Sequence, residues 1–296
     1  MQVGAAIFDL VCAAGADVTF VVGTGKNVGK TVTARALYEA AYRRGLRVGI
    51  MSVGRDGEAL DAIGAHRKPR LFLHPGTTLA TAREALARPP ASIVLAGSSL
   101  ATAAGSLAYA AVATGAEYEL IGPPTASGVR EAVAFLRARC DATFVDGAVD
   151  RVAAIAGGSG AVVIAVGASS GASMPEAVDA VRALTRRLLV ERFDPGEPAI
   201  RVVGALTATR AAGLIAAQET RQVVVGDPTQ IALGGKAALN AFARLRIRCE
   251  RPVRPIAITV ASIGPERSFE PRAFARAVAD AVALPTFDVY AGVRAA

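Results

Sequence analysis

Four residues point to a chemistry before any fold is considered. Gly23, Gly29, Lys30 and Thr31 stand in the order glycine, four residues, glycine, lysine, Ser/Thr, within VTFVVGTGKNVGKTVT at 18–33. Glycines let backbone N–H groups curl around a phosphate without Cβ obstruction, and a following helix offers its positive N-terminus to the anion. The loop residues Gly23, Thr24, Gly25, Lys26, Asn27, Val28 and Gly29, with Lys30, Thr31 and Val32 at the helix start, are the expected nucleotide contacts. Lys30 is the expected catalytic cation on the β/γ-phosphates, and the Thr31 hydroxyl an expected Mg²⁺ ligand. By average composition the four fixed positions coincide by chance in roughly 1% of chains this long. The chain has only four lysines (Lys26, Lys30, Lys68, Lys236), and two of them fall in this loop.

Such a loop needs an acid opposite it. The apolar run 142–145 ends in Asp146, the arrangement of a Walker B strand that holds Mg²⁺ directly or through water. Asp150 and Arg151 are the runners-up. A second acidic segment, Gly-Arg-Asp-Gly-Glu at 54–58, follows an apolar run. Strand ends in a doubly wound sheet are where ligands gather, so Asp56 and Glu58 are candidates to hold Mg²⁺ or to orient an attacking water, and Arg55 to meet a phosphate; a polar turn at a helix start is the alternative.

The elements that must position these residues alternate between strand and helix. Strands are expected at 18–22, 47–53, 70–73, 92–97, 142–146, 161–167, 200–206, 222–226, 256–261 and 287–290. Helices are expected at 2–14, 30–44, 78–88, 175–192, 209–218, from Pro228 to about 245, and at 272–283. Another runs to Arg139, capped by Thr125 or Ser127. Residues 107–120 read as a hairpin, with a helix as the alternative. The fold class is therefore α/β, a doubly wound, mostly parallel sheet with a C-terminal α/β extension. A Pro/Gly stretch near 192–198 divides an expected first domain, 1–192, from a second, 199–296. Asp227 before Pro228 reads as a helix cap.

Composition narrows the classes. No apolar run reaches the roughly 18 residues needed to span a bilayer, and the first residues carry Asp9 and no basic segment. A cytoplasmic location is the expectation. Three scattered cysteines and two histidines argue against a disulfide framework, a zinc knuckle or a Ser/His/Asp triad. The net charge of +8 comes from arginines spread along helices, with 5% aromatics, which argues against nucleic acid as partner.

The stretch VVGTGKNVGKTVTARALYEAAYRRGLRVGIMSVG resembles the SIMIBI branch of P-loop NTPases, nearest the dethiobiotin synthetase and cobyrinate amidation ATPases. That resemblance implies ATP and Mg²⁺ as cofactors, Lys30 and Thr31 as phosphate and metal residues, and Asp56 near the acid after the second strand. The chain departs from dethiobiotin synthetases in having Ser52-Val-Gly-Arg55 in place of a KP motif, and Asp146-Gly-Ala-Val-Asp150 in place of an EGAGG-like segment. Lys26 lies one position off the signature lysine of the dimeric members, although a homodimer stays open. With Asn27 and Asn240 the only asparagines, no NKxD guanine-reading motif exists, which favours ATP.

The GRDGE loop, Lys68-Pro-Arg70 and the ELIGPP segment at 119–124 resemble P-loop accessory proteins of adenosylcobalamin-dependent aminomutases, such as lysine 5,6-aminomutase reactivase subunits. Three readings compete: an ATPase acting on a protein partner such as a cobalamin-dependent mutase, a carboxylate-activating ligase, and a nucleotide-binding regulator. The missing KP and EGAGG-like segments tell against the ligase, and the intact lysine, threonine and aspartate against the regulator.

Overall fold

The computed structural model describes residues 2–54, 70–86, 92–147, 149–291 and 293–294. The chain forms two compact units. The first holds residues 1–22 and 30–154, and the second holds 23–29 and 155–296. The sequence places a boundary at 192–199, whereas the units divide after Ala154.

The first unit opens with α1 (Gln2–Ala13), β1 (Val18–Gly23), α2 (Lys30–Arg43) and β2 (Val48–Ser52). There follow β3 (Leu71–Leu73), β4 (Thr78–Ala82), α3 (Arg83–Leu86), β5 (Ser92–Thr102), β6 (Gly105–Val112), β7 (Ala116–Tyr118), α4 (Ala126–Arg137) and β8 (Ala142–Asp146). Its strands lie in the order β1-β8-β2-β4-β6-β5. The first four are parallel and the last two antiparallel. β8, late in the chain, therefore inserts between β1 and β2. All five residues of β2 are buried, as parallel strands covered on both faces require. Thr125 caps α4 by accepting from the Gly128 N–H.

Two expectations for this unit are corrected. Residues 78–82 form a strand, and among the described residues of the expected helix only 83–86 are helical. TLATA carries no helix-breaking residue, but it lies fully buried between β2 and β6, and tertiary pairing overrides alanine's propensity. Nor do residues 107–120 fold onto themselves. β6 pairs with β5 across a tight turn that ends at Gly105 with φ 107°, and β7 pairs with β3. Beside β3, the Tyr38 hydroxyl accepts from the His74 N–H at 2.7 Å and shares a hydrogen bond with Thr77. The His74 ring stacks on Tyr42 and meets Glu39 at 3.0 Å. His74 thus serves packing.

The second unit continues with β9 (Ala161–Gly167), α5 (Met174–Leu188), β10 (Ala199–Arg201), β11 (Leu206–Thr207), α6 (Ala208–Ala216), β12 (Gln222–Val225) and β13 (Ile231–Ala232). It ends with α7 (Gly235–Arg244), β14 (Arg246–Cys249), β15 (Arg254–Ala261), α8 (Pro271–Ala281), β16 (Thr286–Asp288) and β17 (Val293–Arg294). β9, β15 and β16 run parallel, with β17 antiparallel at the edge. A separate parallel sheet, β10-β12-β14, packs on α6 and α7 around Leu206, Val223, Ile231 and Ile247. The expected helix from Pro228 is corrected: a 3-10 turn at Pro228–Gln230 gives way to β13, and α7 starts only at Gly235, whose φ is 51°. Asp227 caps that turn, accepting from the Thr229 N–H, and pairs with Arg251. β14 is an addition. Its alternation Arg-Ile-Arg-Cys was a readable strand signal.

The α/β class with mostly parallel strands stands as expected. No described helix is long and apolar enough to cross a membrane.

Candidate functional site

The loop after β1 belongs to the second unit and is tied there through Thr24. Thr24 donates its N–H to the Ala165 carbonyl of β9 at 3.1 Å, and its hydroxyl shares a 2.5 Å hydrogen bond with the Ser170 hydroxyl. Ser170 in turn accepts from the Gly167 N–H. Asn27 and Gly29 adopt left-handed backbone, φ 55° and 88°. Alternation of right- and left-handed residues turns successive N–H groups toward one concavity, which suits an anion. At Gly29 the glycine is demanded twice, by the positive φ and because a β-carbon would stand 3.1 Å from the Ala261 methyl. Val28 is buried and anchors the turn, whereas Lys26 and Asn27 are exposed.

Within the first unit, Lys30 and Thr31 open α2. The Thr31 hydroxyl donates to Asp146 Oδ2 at 2.8 Å. Asp146 is the last residue of β8, in register with Val21 of β1 and Ser52 of β2. Its carbonyl accepts from the Val53 N–H at 2.9 Å, and the Gly147 N–H donates to Val21. Flanking strands thus clamp the backbone on both sides, and the carboxylate is held at the carboxyl edge. A hydroxyl and a carboxylate are hard oxygen donors of the kind Mg²⁺ takes beside phosphate oxygens and water, so this pair fits the ion. No three His, Cys, Asp or Glu side chains gather into a metal cluster among the described residues.

A cavity of about 10 Å³ adjoins the pair, lined by Ala34, Ile50, Leu71 and Leu120 with Ser52 and Tyr118. Space of that order holds about one water. Burial pushes the Tyr118 phenol above its ordinary range, so it stays protonated at neutral pH. The segment behind this wall is fixed tightly. The Thr81 hydroxyl donates to the Glu119 carbonyl at 3.0 Å and accepts from the Ile121 N–H at 2.9 Å. Gly122 is pressed against β2, where a β-carbon would stand 1.7 Å from the Ser52 carbonyl oxygen.

Thr31 and Asp146, 115 residues apart, are therefore brought together, with Lys30 adjacent in the chain. Val32, half-buried, follows on α2. Asp56, Glu58 and Arg55 lie outside the described residues, as do the side chains of Asp150 and Arg151. Ser52, Tyr118 and Leu120 were missed by sequence reasoning. Only the strand end before Val53 could have flagged Ser52, and nothing local marks the other two.

None of the curated proteins matches the chain. The family model described as "Domain of unknown function (DUF1611_C) P-loop domain" matches residues 10–64, the stretch that carries β1, the glycine loop, α2 and β2.

Proposed function

We propose that the chain is a Mg²⁺-dependent ATPase whose cycle acts on a partner protein, in the manner of the reactivases of adenosylcobalamin-dependent aminomutases. The observation that carries the ATPase reading is the Thr31–Asp146 hydrogen bond of 2.8 Å, beside the lysine of a phosphate-binding loop. In this reading Lys30 neutralises the β/γ-phosphates, and Thr31 and Asp146 supply protein oxygens to the ion. Bound Mg²⁺ would supply charge neutralisation at the phosphoryl oxygens. Asp56 is assigned to the attacking water and Glu58 to the metal on sequence grounds. The absence of an NKxD motif supports ATP over GTP.

The partner reading rests on the GRDGE, KPR and ELIGPP segments and on the absent KP motif.

Nucleotide binding is tested by thermal melting. A ligand that binds only the folded state at a hundred times its Kd stabilises by about 2.7 kcal/mol. Saturating Mg-ATP should therefore raise the Tm by several degrees, EDTA should reduce the rise, and Lys30→Ala should remove most of it. An unchanged melt with ATP, ADP and GTP would sink the assignment.

The partner role is tested by turnover. A partner-directed ATPase completes its geometry only on docking, so the basal rate should be slow. Addition of a cobalamin-dependent aminomutase should raise it about tenfold or more and restore mutase inactivated during catalysis. Rapid ATP consumption triggered by a diamino acid or corrinoid carboxylate alone would favour the ligase.

A further inference from the structure

Two large apolar side chains stand uncovered at the carboxyl edge of the second unit's parallel strands. Ile263 is 61% exposed and Tyr290 is 52% exposed. A single exposed apolar residue needs no explanation. These two differ in what holds them and in what they adjoin.

Tyr290 follows β16. Asp288, 2% exposed, accepts from the N–H groups of both Tyr290 and Ala291 at 2.8 Å, which fixes the turn and therefore the start of the tyrosine side chain. That ring lies against the glycine loop: a β-carbon on Gly29 would stand 3.9 Å from Tyr290 Cε2 and 4.0 Å from Val289 Cγ2. Ile263 follows β15, the neighbour of β16. The last residue of β15, Ala261, faces the same spot as the tyrosine ring, its methyl 3.1 Å from where a β-carbon on Gly29 would stand, and Ile263 lies two residues further on. The isoleucine is held by a bridge to Ser268 and by the Gly264 N–H donating to the Arg267 carbonyl.

A nucleoside triphosphate has one flat, weakly polar part, its base. Ligands of parallel α/β sheets lie outside the carboxyl ends of the strands, and aromatic side chains bind bases through their faces. We infer that Tyr290 is the platform on which the base of the bound nucleotide stacks, with Ile263 at the end of the neighbouring strand as a second apolar contact. The inference rests on the nucleotide-binding reading and adds the residues that grip the base. Recognition through ring faces needs no hydrogen-bond reader, which agrees with a chain lacking the guanine-reading motif.

The test is calorimetric titration of the full chain with Mg-ATP and, separately, with Mg-tripolyphosphate, which has phosphates and no base. Because Tyr290 is half exposed, its replacement leaves the core intact. Tyr290→Ala should weaken ATP about tenfold or more while changing tripolyphosphate by less than about twofold. Tyr290→Phe keeps the ring face and should stay within about threefold of the unchanged protein. Ile263→Ser should weaken ATP by a smaller factor and also spare tripolyphosphate. Undiminished ATP affinity in Tyr290→Ala overturns the platform, as does equal weakening of both ligands, which would mean that the residue acts through the loop. A Tyr290→Phe variant as weak as Tyr290→Ala also overturns it. If the unsubstituted protein bound neither ligand, the nucleotide reading itself would fail; tripolyphosphate binding lost only in Lys30→Ala would leave that reading standing whatever Tyr290 does.

Discussion

Asp146→Asn is expected to lower Mg²⁺-dependent ATP turnover about a hundredfold, the equivalent of about 2.7 kcal/mol of transition-state stabilisation. The substitution removes charge where the ion would sit and changes almost no volume. An asparagine carbonyl still accepts from the Thr31 hydroxyl, which now donates to Asp146 at 2.8 Å, so the fold should persist. ATP affinity measured without Mg²⁺ should stay within about threefold, while the gain in affinity on adding Mg²⁺ should shrink. The paired measurements separate a metal ligand from a merely structural aspartate. Wild-type turnover in Asp146→Asn would move the metal-binding acid elsewhere, with Asp150 next to test.

The second large effect concerns stability. Gly122→Ala places a methyl 1.7 Å from the backbone oxygen of Ser52, a group that cannot rotate away. Either β2 or the 119–124 segment must move, at a cost of about 3 kcal/mol or more. A clear fall in Tm is expected, together with weaker nucleotide stabilisation, since Ser52 pairs with Asp146 in register. A variant that melts with the unsubstituted protein would show that the segment is loosely held. The same substitution at Gly15, where no atom lies within 4 Å, has only its φ of 63° against it and should cost much less.

What the sequence made legible was what depends on neighbours in the chain. The strand–loop–helix around Lys30 is local, since glycines, lysine and threonine act within one turn of backbone. Asp146 was legible because an apolar run ends on it. The cavity wall was not, because Leu71 and Tyr118 meet only through the β3–β7 pairing, across more than forty residues. Residues 78–82 misled for a related reason: TLATA followed by Arg-Glu-Ala-Leu has helical composition, and only burial between two strands makes it extended. Beyond Pro228 the cap was legible, whereas the early end of the turn depended on the pairing of β13 with the distant β11.

The insertion of β8 between β1 and β2 also dictates when the site comes into existence. During synthesis Ser52 leaves the ribosome 90 residues ahead of Ala142. At about 5–20 residues per second, that interval is roughly 5–20 s. Until it ends, the first two strands have no partner between them, and the hydroxyl of Thr31 has no carboxylate to meet. Closing so long a loop is an entropic cost that local contacts cannot offset, and parallel pairings of this kind form slowly. The nascent chain therefore carries its glycine loop and lysine long before Thr31 and Asp146 can meet, and the exposed edges of β1 and β2 are the surfaces that a chaperone would be called on to shield.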